Sequence, residues 1–129
     1  MLYGSISHWR KQLTAGQITP TELVQELARI TDAKNPGINA YISYNTDAAL
    51  AAAAKADLSL PLGGIPIAVK DNICMQGEPT RCASKMLHNF VSPYDATAVT
   101  KLKAAGAIPF GRANMDEFAM GSAGQNSAY

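Results

Sequence analysis

The fold is decided by the stretch Gly63-Gly64-Ile65-Pro66-Ile67-Ala68-Val69-Lys70-Asp71-Asn72. A glycine pair precedes five mostly apolar residues, Ile65 to Val69, and the polar residues Lys70, Asp71 and Asn72 follow them. A short apolar run between turn signals is typical of a buried strand, and a proline is tolerated near the start of such a strand. We therefore predict a buried strand with a polar carboxyl end.

A second buried strand is predicted further along the chain, at Ala107 to Phe110. Between the two strands we expect a helix that Asp95 caps, that carries Val99 and Leu102 on one face, and that Gly106 ends. Parallel strands need a crossover connection of this length, which usually contains a helix. The pattern therefore indicates a parallel α/β core. A further helical turn or two is expected at residues 83–90.

Two helices are predicted ahead of this core. The first is marked by apolar residues at helical spacing and by a glycine stop, which are Leu2, Ile6, Trp9, Leu13 and Gly16. The second begins at Thr19-Pro20-Thr21-Glu22, which combines a hydroxyl cap, a proline at the first helical position and a glutamate three residues after the cap. We expect this second helix to end near Asn35-Pro36-Gly37.

A strand and an alanine-rich helix are predicted next. Ala40 to Tyr44 is aromatic and β-branched, which favours a short strand. Asn45 or Thr46 can then cap a helix that runs to about Asp57. The elements thus alternate between helical and extended segments.

The composition describes one domain with little net charge. The 129 residues suffice for one domain and not comfortably for two. A net charge of +1 provides no strong field to hold a phosphate backbone or an anionic membrane. The charged fraction of 16% lies below the roughly 25% that is usual for soluble domains. We therefore expect more protein to cover part of this surface.

The cysteines and apolar stretches indicate a cytoplasmic protein. Cys74 and Cys82 follow no secretory leader, so reduced thiols are expected. The longest apolar stretch, Ala48 to Ala56, is interrupted by Lys55 and is too short to span a bilayer. We predict a soluble cytoplasmic protein without membrane contact.

Lys70 is the most informative candidate for chemistry, because it directly follows the predicted buried strand. Open α/β sheets bind ligands at the carboxyl ends of their strands. Lys70 could reach solvent or pair with Asp71. Alternatively, it could be desolvated and neutral, so that its amine accepts a proton from a hydroxyl. The composition does not decide between these alternatives.

Other candidate residues carry weaker signals. Cys74, Cys82 and His88 lack a C-x-x-C pair and a fourth ligand, so no metal site is predicted. The glycines at 63–64 and 121–124 match neither a dinucleotide-binding fingerprint nor a P-loop.

Acidic and methionine side chains near the end of the chain also leave alternatives open. Asp116 and Glu117 could form an acid pair, although adjacent carboxylates are more often solvated or bonded to backbone. Met115 and Met120 could line a pocket, or they could fill gaps in the core.

Four segments in a fixed order resemble the amidase signature family: Gly64–Ile73, Cys82–Leu87, Tyr94–Thr97 and Asn114–Ser122. Within that family, Asn114-Met115-Asp116-Glu117-Phe118-Ala119-Met120-Gly121 resembles the subunits that serve tRNA-dependent amidotransferases. The resemblance implies an α/β fold that is the truncated N-terminal portion of the amidase signature fold, a mixed sheet wrapped by helices. Residues 1–129 would then be the N-terminal fragment of a single domain. A helical region would occupy about residues 1–60, and the α/β core would start at about residues 61–129.

The resemblance also implies a Ser-Ser-Lys catalytic triad. Lys70 would act as base, through a bridging serine, on a nucleophilic serine that attacks the carboxamide of glutamine and releases ammonia. Both serines of the family lie beyond the Asn114–Gly121 segment, and we expect them to be absent from this chain. Met120, Gly121 and Ser122 would line the substrate pocket.

Partners and cofactors follow from the same resemblance. The ammonia would pass to a partner subunit of a heterotrimer, which binds the tRNA and uses ATP and Mg²⁺ to convert Glu-tRNA(Gln) to Gln-tRNA(Gln), and possibly Asp-tRNA(Asn) to Asn-tRNA(Asn). ATP and Mg²⁺ are not expected to bind residues 1–129. A stand-alone small-amide amidase and a non-catalytic α/β binding module remain as alternatives. The parallel strands near Ile67 and Ile108 are expected to expose edges, which favours association.

The first testable prediction concerns the 129-residue chain by itself. We expect it to release no ammonia from glutamine, because a base without a nucleophile cannot form an acyl intermediate. An ammonia-release assay on the purified chain measures this. Hydrolysis that disappears in Lys70→Ala would contradict the prediction.

Overall fold

The computed structural model describes residues 3–129, and Leu2, at the start of the first predicted helix, lies outside them. The helices are α1 (Ile6–Thr14), α2 (Pro20–Ile38), α3 (Thr46–Ala53) and α4 (Thr97–Ala104), and the strands are β1 (Tyr41–Tyr44), β2 (Pro66–Lys70) and β3 (Ile108–Ala113). Short 3₁₀ turns occur at Lys85–Leu87 and Glu117–Ala119. No described helix is both long enough and apolar enough to cross a membrane.

Helix α2 begins with the predicted capping box. The Thr19 hydroxyl accepts a hydrogen bond from the backbone N–H of Glu22 at 3.2 Å, and the Glu22 carboxylate accepts one from the backbone N–H of Thr19 at 2.8 Å. The helix continues through Pro36 to Ile38, slightly beyond the predicted end. It ends when Asn39 adopts a left-handed φ of 50° and its N–H donates to the Asn35 carbonyl at 2.7 Å.

Two other helix boundaries differ from the sequence prediction. Asn45, one of the two expected caps, caps α3, but α3 ends at Ala53 rather than near Asp57. The Asp57 carboxylate accepts from the Ser59 N–H in a separate turn. Asp95 does not cap α4, because it lies one residue before the N-cap. Its carboxylate instead accepts from the backbone N–H of Gln76 and pairs with Lys103 at 2.8 Å.

The sheet has the strand order β1-β3-β2. Strands β2 and β3 are parallel, as predicted, and β1 is antiparallel to β3. The mixed sheet with helices around it confirms the predicted fold class. The expected exposed edge near Ile108 is wrong, because β1 pairs with β3 and places β3 in the centre. Among the described residues, the edge strands are β1 and β2, so the expected exposed edge near Ile67 of β2 is present.

The apolar core lies between the helices and the sheet. Helices α2 and α3 pack on β3 through a cluster of buried residues, which are Val24, Ala28, Ala49, Ala53, Ile108 and Phe110. Val69 of β2 packs with Met75 and with Val99 of α4. Leu13 of α1, Leu23 of α2 and Ile65 form a third cluster beside the start of β2. Strand β2 is therefore held by apolar packing along its length, which fixes the position of its carboxyl end.

The capping box generates a prediction about stability. Thr19→Ala removes the hydroxyl that accepts the Glu22 N–H, so the free energy of unfolding should fall by about 1 kcal/mol in urea denaturation. The Glu22 carboxylate also accepts hydrogen bonds from the Thr19 backbone N–H and from the Thr19 hydroxyl, both at 2.8 Å, and these lower the pKa of Glu22 from its ordinary value of 4.5. Thr19→Ala removes the second of them. The stabilisation is therefore fully present above pH 4.5 and is lost as the pH falls through the lowered pKa, so the difference between the two proteins should shrink in acid.

Thr21→Ala is the matched control, because Thr21 lies in the same helical turn and leaves the capping box intact. It should change the free energy of unfolding by less than about 0.5 kcal/mol. Equal losses in Thr19→Ala and Thr21→Ala would show that the cap contributes nothing specific.

Candidate functional site at the carboxyl end of the parallel strands

Lys70 is the last residue of β2, and it lies in register with Ala113, the last residue of β3. The backbone N–H of Asp71 continues the ladder by donating to the Ala113 carbonyl at 3.1 Å. Because the strands are parallel and end together, the segments that follow them leave the sheet at the same edge. This edge is where open α/β sheets bind their ligands.

Asp71 is fully buried and organises the chain beside this edge. Its Oδ2 atom accepts hydrogen bonds from the backbone N–H groups of Arg81 at 3.2 Å and Ala83 at 3.1 Å. Its backbone carbonyl accepts a third from Cys82 N–H at 3.1 Å. Residues 81–83 are therefore fixed across the end of β2.

Arg112 of β3 is the partner of Asp71, and it is only 2% exposed. Its Nε atom lies 3.4 Å from Asp71 Oδ1, and its Nη2 atom donates to the Ile73 carbonyl at 2.8 Å and to Thr80 Oγ1 at 3.3 Å. Sequence reasoning considered a pair between Lys70 and Asp71 and missed Arg112. The available signal was a lone charged residue in the apolar strand, which needs a buried partner.

The end of the chain packs onto residues 82–83. The backbone N–H of Phe118 donates to the Cys82 carbonyl at 2.9 Å, and that of Ala128 donates to the Ala83 carbonyl at 3.0 Å. Cys82 and Ala83 both have a φ of 52°, a left-handed conformation that is uncommon outside glycine. Three of the four segments that carry the family resemblance thus meet at the end of β2.

Asp116 holds the final loop in shape. Its carboxylate accepts from the backbone N–H groups of Asn126 at 2.8 Å and Gly124 at 2.9 Å. These hydrogen bonds lower the pKa of Asp116 from its ordinary value of 3.8. Of the two alternatives that the sequence left open for Asp116, the structure shows a carboxylate that is bonded to backbone.

The structure places Lys70 on the exposed side of the strand end. Its ammonium makes no hydrogen bond or ion pair with residues 3–129, and the Asp71 carboxylate is directed to other partners. The described residues therefore leave Lys70 accessible and do not desolvate it. Its role as a base stays a prediction.

Met120, Gly121 and Ser122 are exposed residues of the loop that Asp116 holds. A Cβ atom at Gly121 would lie 2.5 Å from the Asp116 Cγ atom, so only glycine allows the loop to approach the carboxylate this closely. The loop joins the strand end through Phe118 and Cys82. A pocket-lining role for residues 120–122 stays a prediction.

Three candidate residues remain from the sequence analysis, which are Cys74, Cys82 and His88. The His88 Nδ1 atom lies 2.9 Å from the Tyr129 hydroxyl. Cys74 and Cys82 are half-buried free thiols, and burial raises the pKa of Cys82. Within residues 3–129, no group of three or more His, Cys, Asp or Glu side chains is arranged to hold a metal ion.

A groove of about 600 Å³ lies between β1, the start of α3 and residues 75–81. Arg81 and Arg112 line it, together with the carboxylate-bearing residues Asp47 and Glu78. Lys70 is not among its lining residues. The groove therefore does not contain the candidate base, although Arg112 borders both the groove and the strand end.

Residues 22–129 match the family described as Amidase, and the chain belongs to this family. Over 128 residues it is 56% identical to the A subunit of the glutamyl-tRNA(Gln) amidotransferase of Akkermansia muciniphila, covering 99% of this chain and 27% of that protein. It is 52% identical over 125 residues to the protein of the same name from Methylacidiphilum infernorum, covering 96% of this chain and 25% of that protein.

A solved structure agrees with these relatives. The crystal structure of the A subunit of glutamyl-tRNA(Gln) amidotransferase from Thermotoga maritima aligns with a TM-score of 0.69 and 37% identity. The alignment covers 85% of this chain and 23% of that one. The chain thus spans about a quarter of the length of the relatives it matches.

The close approach of Gly121 to Asp116 generates a prediction about the final loop. Gly121→Ala should displace the Asp116 carboxylate and reduce the hydrogen-exchange protection of the Gly124 and Asn126 amides at least tenfold. Ser122→Ala, at the exposed neighbouring residue, is the control and should leave both amides protected. Unchanged protection in Gly121→Ala would contradict the packing described here.

The lowered pKa of Asp116 adds a pH dependence to the same measurement. The Gly124 and Asn126 amides should be protected above pH 3.8 and should lose protection as the pH falls through the lowered pKa, because protonation weakens both hydrogen bonds.

Proposed function

We propose that this chain belongs to the glutamine-hydrolysing subunit of a tRNA-dependent amidotransferase. The observation that carries the proposal is 56% identity, across 99% of the chain, to the A subunit of a glutamyl-tRNA(Gln) amidotransferase. The structure supports it by joining three of the four segments that resemble the family around Asp71, next to Lys70. The activity proposed is that of the complete gene product.

In the proposed reaction, Lys70 is the base that activates a serine nucleophile. Its neutral amine accepts the proton of the nucleophile through a bridging serine, and the nucleophile oxygen bonds to the carboxamide carbon of glutamine. The carbon–nitrogen bond then breaks, and the leaving nitrogen takes the proton that Lys70 had accepted, so that ammonia is released. Water hydrolyses the remaining glutamyl ester to glutamate and restores the serine.

The accessibility of Lys70 is consistent with this role. A base must come within hydrogen-bond reach of the group it deprotonates. Lys70 has no polar partner among residues 3–129, so its amine is available to serines outside this segment.

The partners belong to the same proposal. The ammonia passes to a partner subunit that binds the tRNA and uses ATP and Mg²⁺ to activate the glutamate of Glu-tRNA(Gln), in a cytoplasmic heterotrimer. Asp-tRNA(Asn) is a further substrate in this proposal. The net charge of +1 supports tRNA binding by another subunit, because tight binding to phosphates requires a positive surface.

Lys70→Ala in the complete gene product, purified with its partner subunits, tests the function. Glutamine hydrolysis should fall by about 10²- to 10⁴-fold, the usual contribution of a general base. Formation of Gln-tRNA from ammonium salts should be unchanged, because free ammonia bypasses the step that needs Lys70.

Lys101→Ala is the control, since Lys101 is exposed on α4 and belongs to no segment of the site. It should retain both activities. Glutamine hydrolysis by Lys70→Ala at the rate of Lys101→Ala would refute the assignment. Hydrolysis of glutamine with no tRNA amidation from any nitrogen source would favour a stand-alone amidase.

A further inference from the structure

We infer that the buried pair of Asp71 and Arg112 positions Lys70 for amide hydrolysis. The inference rests on the proposed function, because it adds positioning residues to the same site. Neither side chain reaches the exposed surface where Lys70 lies: Asp71 is 0% exposed and Arg112 is 2% exposed. The pair therefore acts through the backbone and through neighbouring loops, without contact with the substrate.

The alternation of burial at the strand end links Asp71 to Lys70. Val69 is buried, Lys70 is exposed and Asp71 is buried, so consecutive side chains point to opposite sides. Fixing the Asp71 carboxylate inside the protein therefore fixes the direction in which the Lys70 side chain leaves the strand. A rotation of Asp71 would move the Lys70 amine.

The hydrogen bonds of the pair join two strands to one loop. Asp71 Oδ1 faces Arg112 of β3, while Asp71 Oδ2 accepts from two backbone N–H groups of residues 81–83. Arg112 also donates to the Ile73 carbonyl and to Thr80. The chain is therefore fixed both just after Lys70, at Ile73, and in the facing loop.

The loop that Asp71 holds is strained. Cys82 and Ala83 both adopt a φ of 52°, and neither is a glycine. Such a conformation persists when the surrounding structure determines it, and it is common at functional sites. The hydrogen bonds from Ala83 N–H to the Asp71 carboxylate and from Cys82 N–H to the Asp71 carbonyl supply that constraint.

Stability alone is a weak reason to bury this pair. Taking a carboxylate and a guanidinium out of water carries a desolvation penalty that often cancels their attraction, and apolar residues of similar size can stabilise a core as well. In addition, Arg112 Nη1 is buried and has no hydrogen-bond partner among residues 3–129. Precise placement of the strand end explains the pair better than stabilisation does.

The loop that carries Met120, Gly121 and Ser122 has its own anchor. Asp116 holds it through Gly124 and Asn126, and among the described residues its link to the pair is indirect, through the hydrogen bond from the Phe118 N–H to the Cys82 carbonyl. A change in the pair should therefore affect the base more than the proposed pocket. A substitution in the pair should therefore lower kcat for glutamine hydrolysis and leave KM for glutamine nearly unchanged.

The test uses the complete gene product with its partner subunits. Asp71→Asn keeps the size of the side chain but directs an amide NH₂ at the Arg112 guanidinium or at the backbone N–H groups. Its kcat for glutamine hydrolysis should fall about 100-fold, the cost of a misplacement of about 1 Å, while KM for glutamine changes less than about threefold. Ammonia-dependent formation of Gln-tRNA, measured on the same preparation, should stay within about twofold and shows that the complex is folded.

A double variant tests whether the two residues act as one unit. When Asp71→Asn is combined with Arg112→Gln, the amide NH₂ introduced by the first substitution can donate to the amide carbonyl introduced by the second. The amide oxygen of the first substitution then remains free to accept from residues 81–83. The kcat of the double variant should be at least tenfold higher than that of Asp71→Asn alone. Non-additivity of this kind is expected of residues in one hydrogen-bonded network.

Asp95→Asn is the matched control, because Asp95 also accepts a backbone N–H and pairs with a cation, Lys103, away from Lys70. It should retain kcat within about twofold. The inference is overturned if Asp71→Asn retains kcat, if it loses ammonia-dependent activity in parallel, or if the double variant shows no rescue. If the wild-type complex hydrolyses no glutamine, or Lys70→Ala hydrolyses it normally, the proposed function itself fails.

Discussion

The buried ion pair between Asp71 and Arg112 holds the carboxyl end of the parallel strands. Asp71 directly follows β2, Arg112 lies in β3, and the two are 41 residues apart in the chain, so their contact forms only when β2 and β3 pair in the observed register. Removing one partner would leave the other charged and buried, which is strongly unfavourable. The pair therefore restricts the register of the sheet as well as the path of the loop at residues 80–83.

The site is assembled from segments that are distant in sequence. Parallel pairing places the ends of β2 and β3 at one edge, Asp71 binds residues 81–83 there, and Phe118 and Ala128 then bond to Cys82 and Ala83. Each step satisfies backbone N–H or carbonyl groups with a partner from another segment. The result is a framework of loops around an accessible Lys70, which is the arrangement that a base needs when its target lies on another part of the protein.

Local features of this fold could be predicted from the sequence, and long-range features could not. The Thr19 capping box and the Asn45 cap depend on residues three positions apart; the first was predicted, and the second was one of the two caps expected, with Thr46 as the other. Asp95 looked equally suitable as a cap. Its carboxylate instead accepts from the Gln76 N–H, 19 residues away, and from the Lys103 ammonium, eight residues away. The central position of β3 depends on the pairing of β1, which no local pattern indicates.

The candidate site shows the same division. Lys70 could be singled out as a candidate because it directly follows an apolar run. The pairing of its neighbour Asp71 with Arg112 could not be predicted, because the two residues are remote in sequence. The most direct test of the account is a crystal structure of the complete gene product. We predict that the Lys70 Nζ atom lies about 3 Å from a serine hydroxyl outside residues 1–129, with the ion pair between Asp71 and Arg112 intact. A Lys70 ammonium that is exposed to solvent or paired with a carboxylate in that structure would contradict the account.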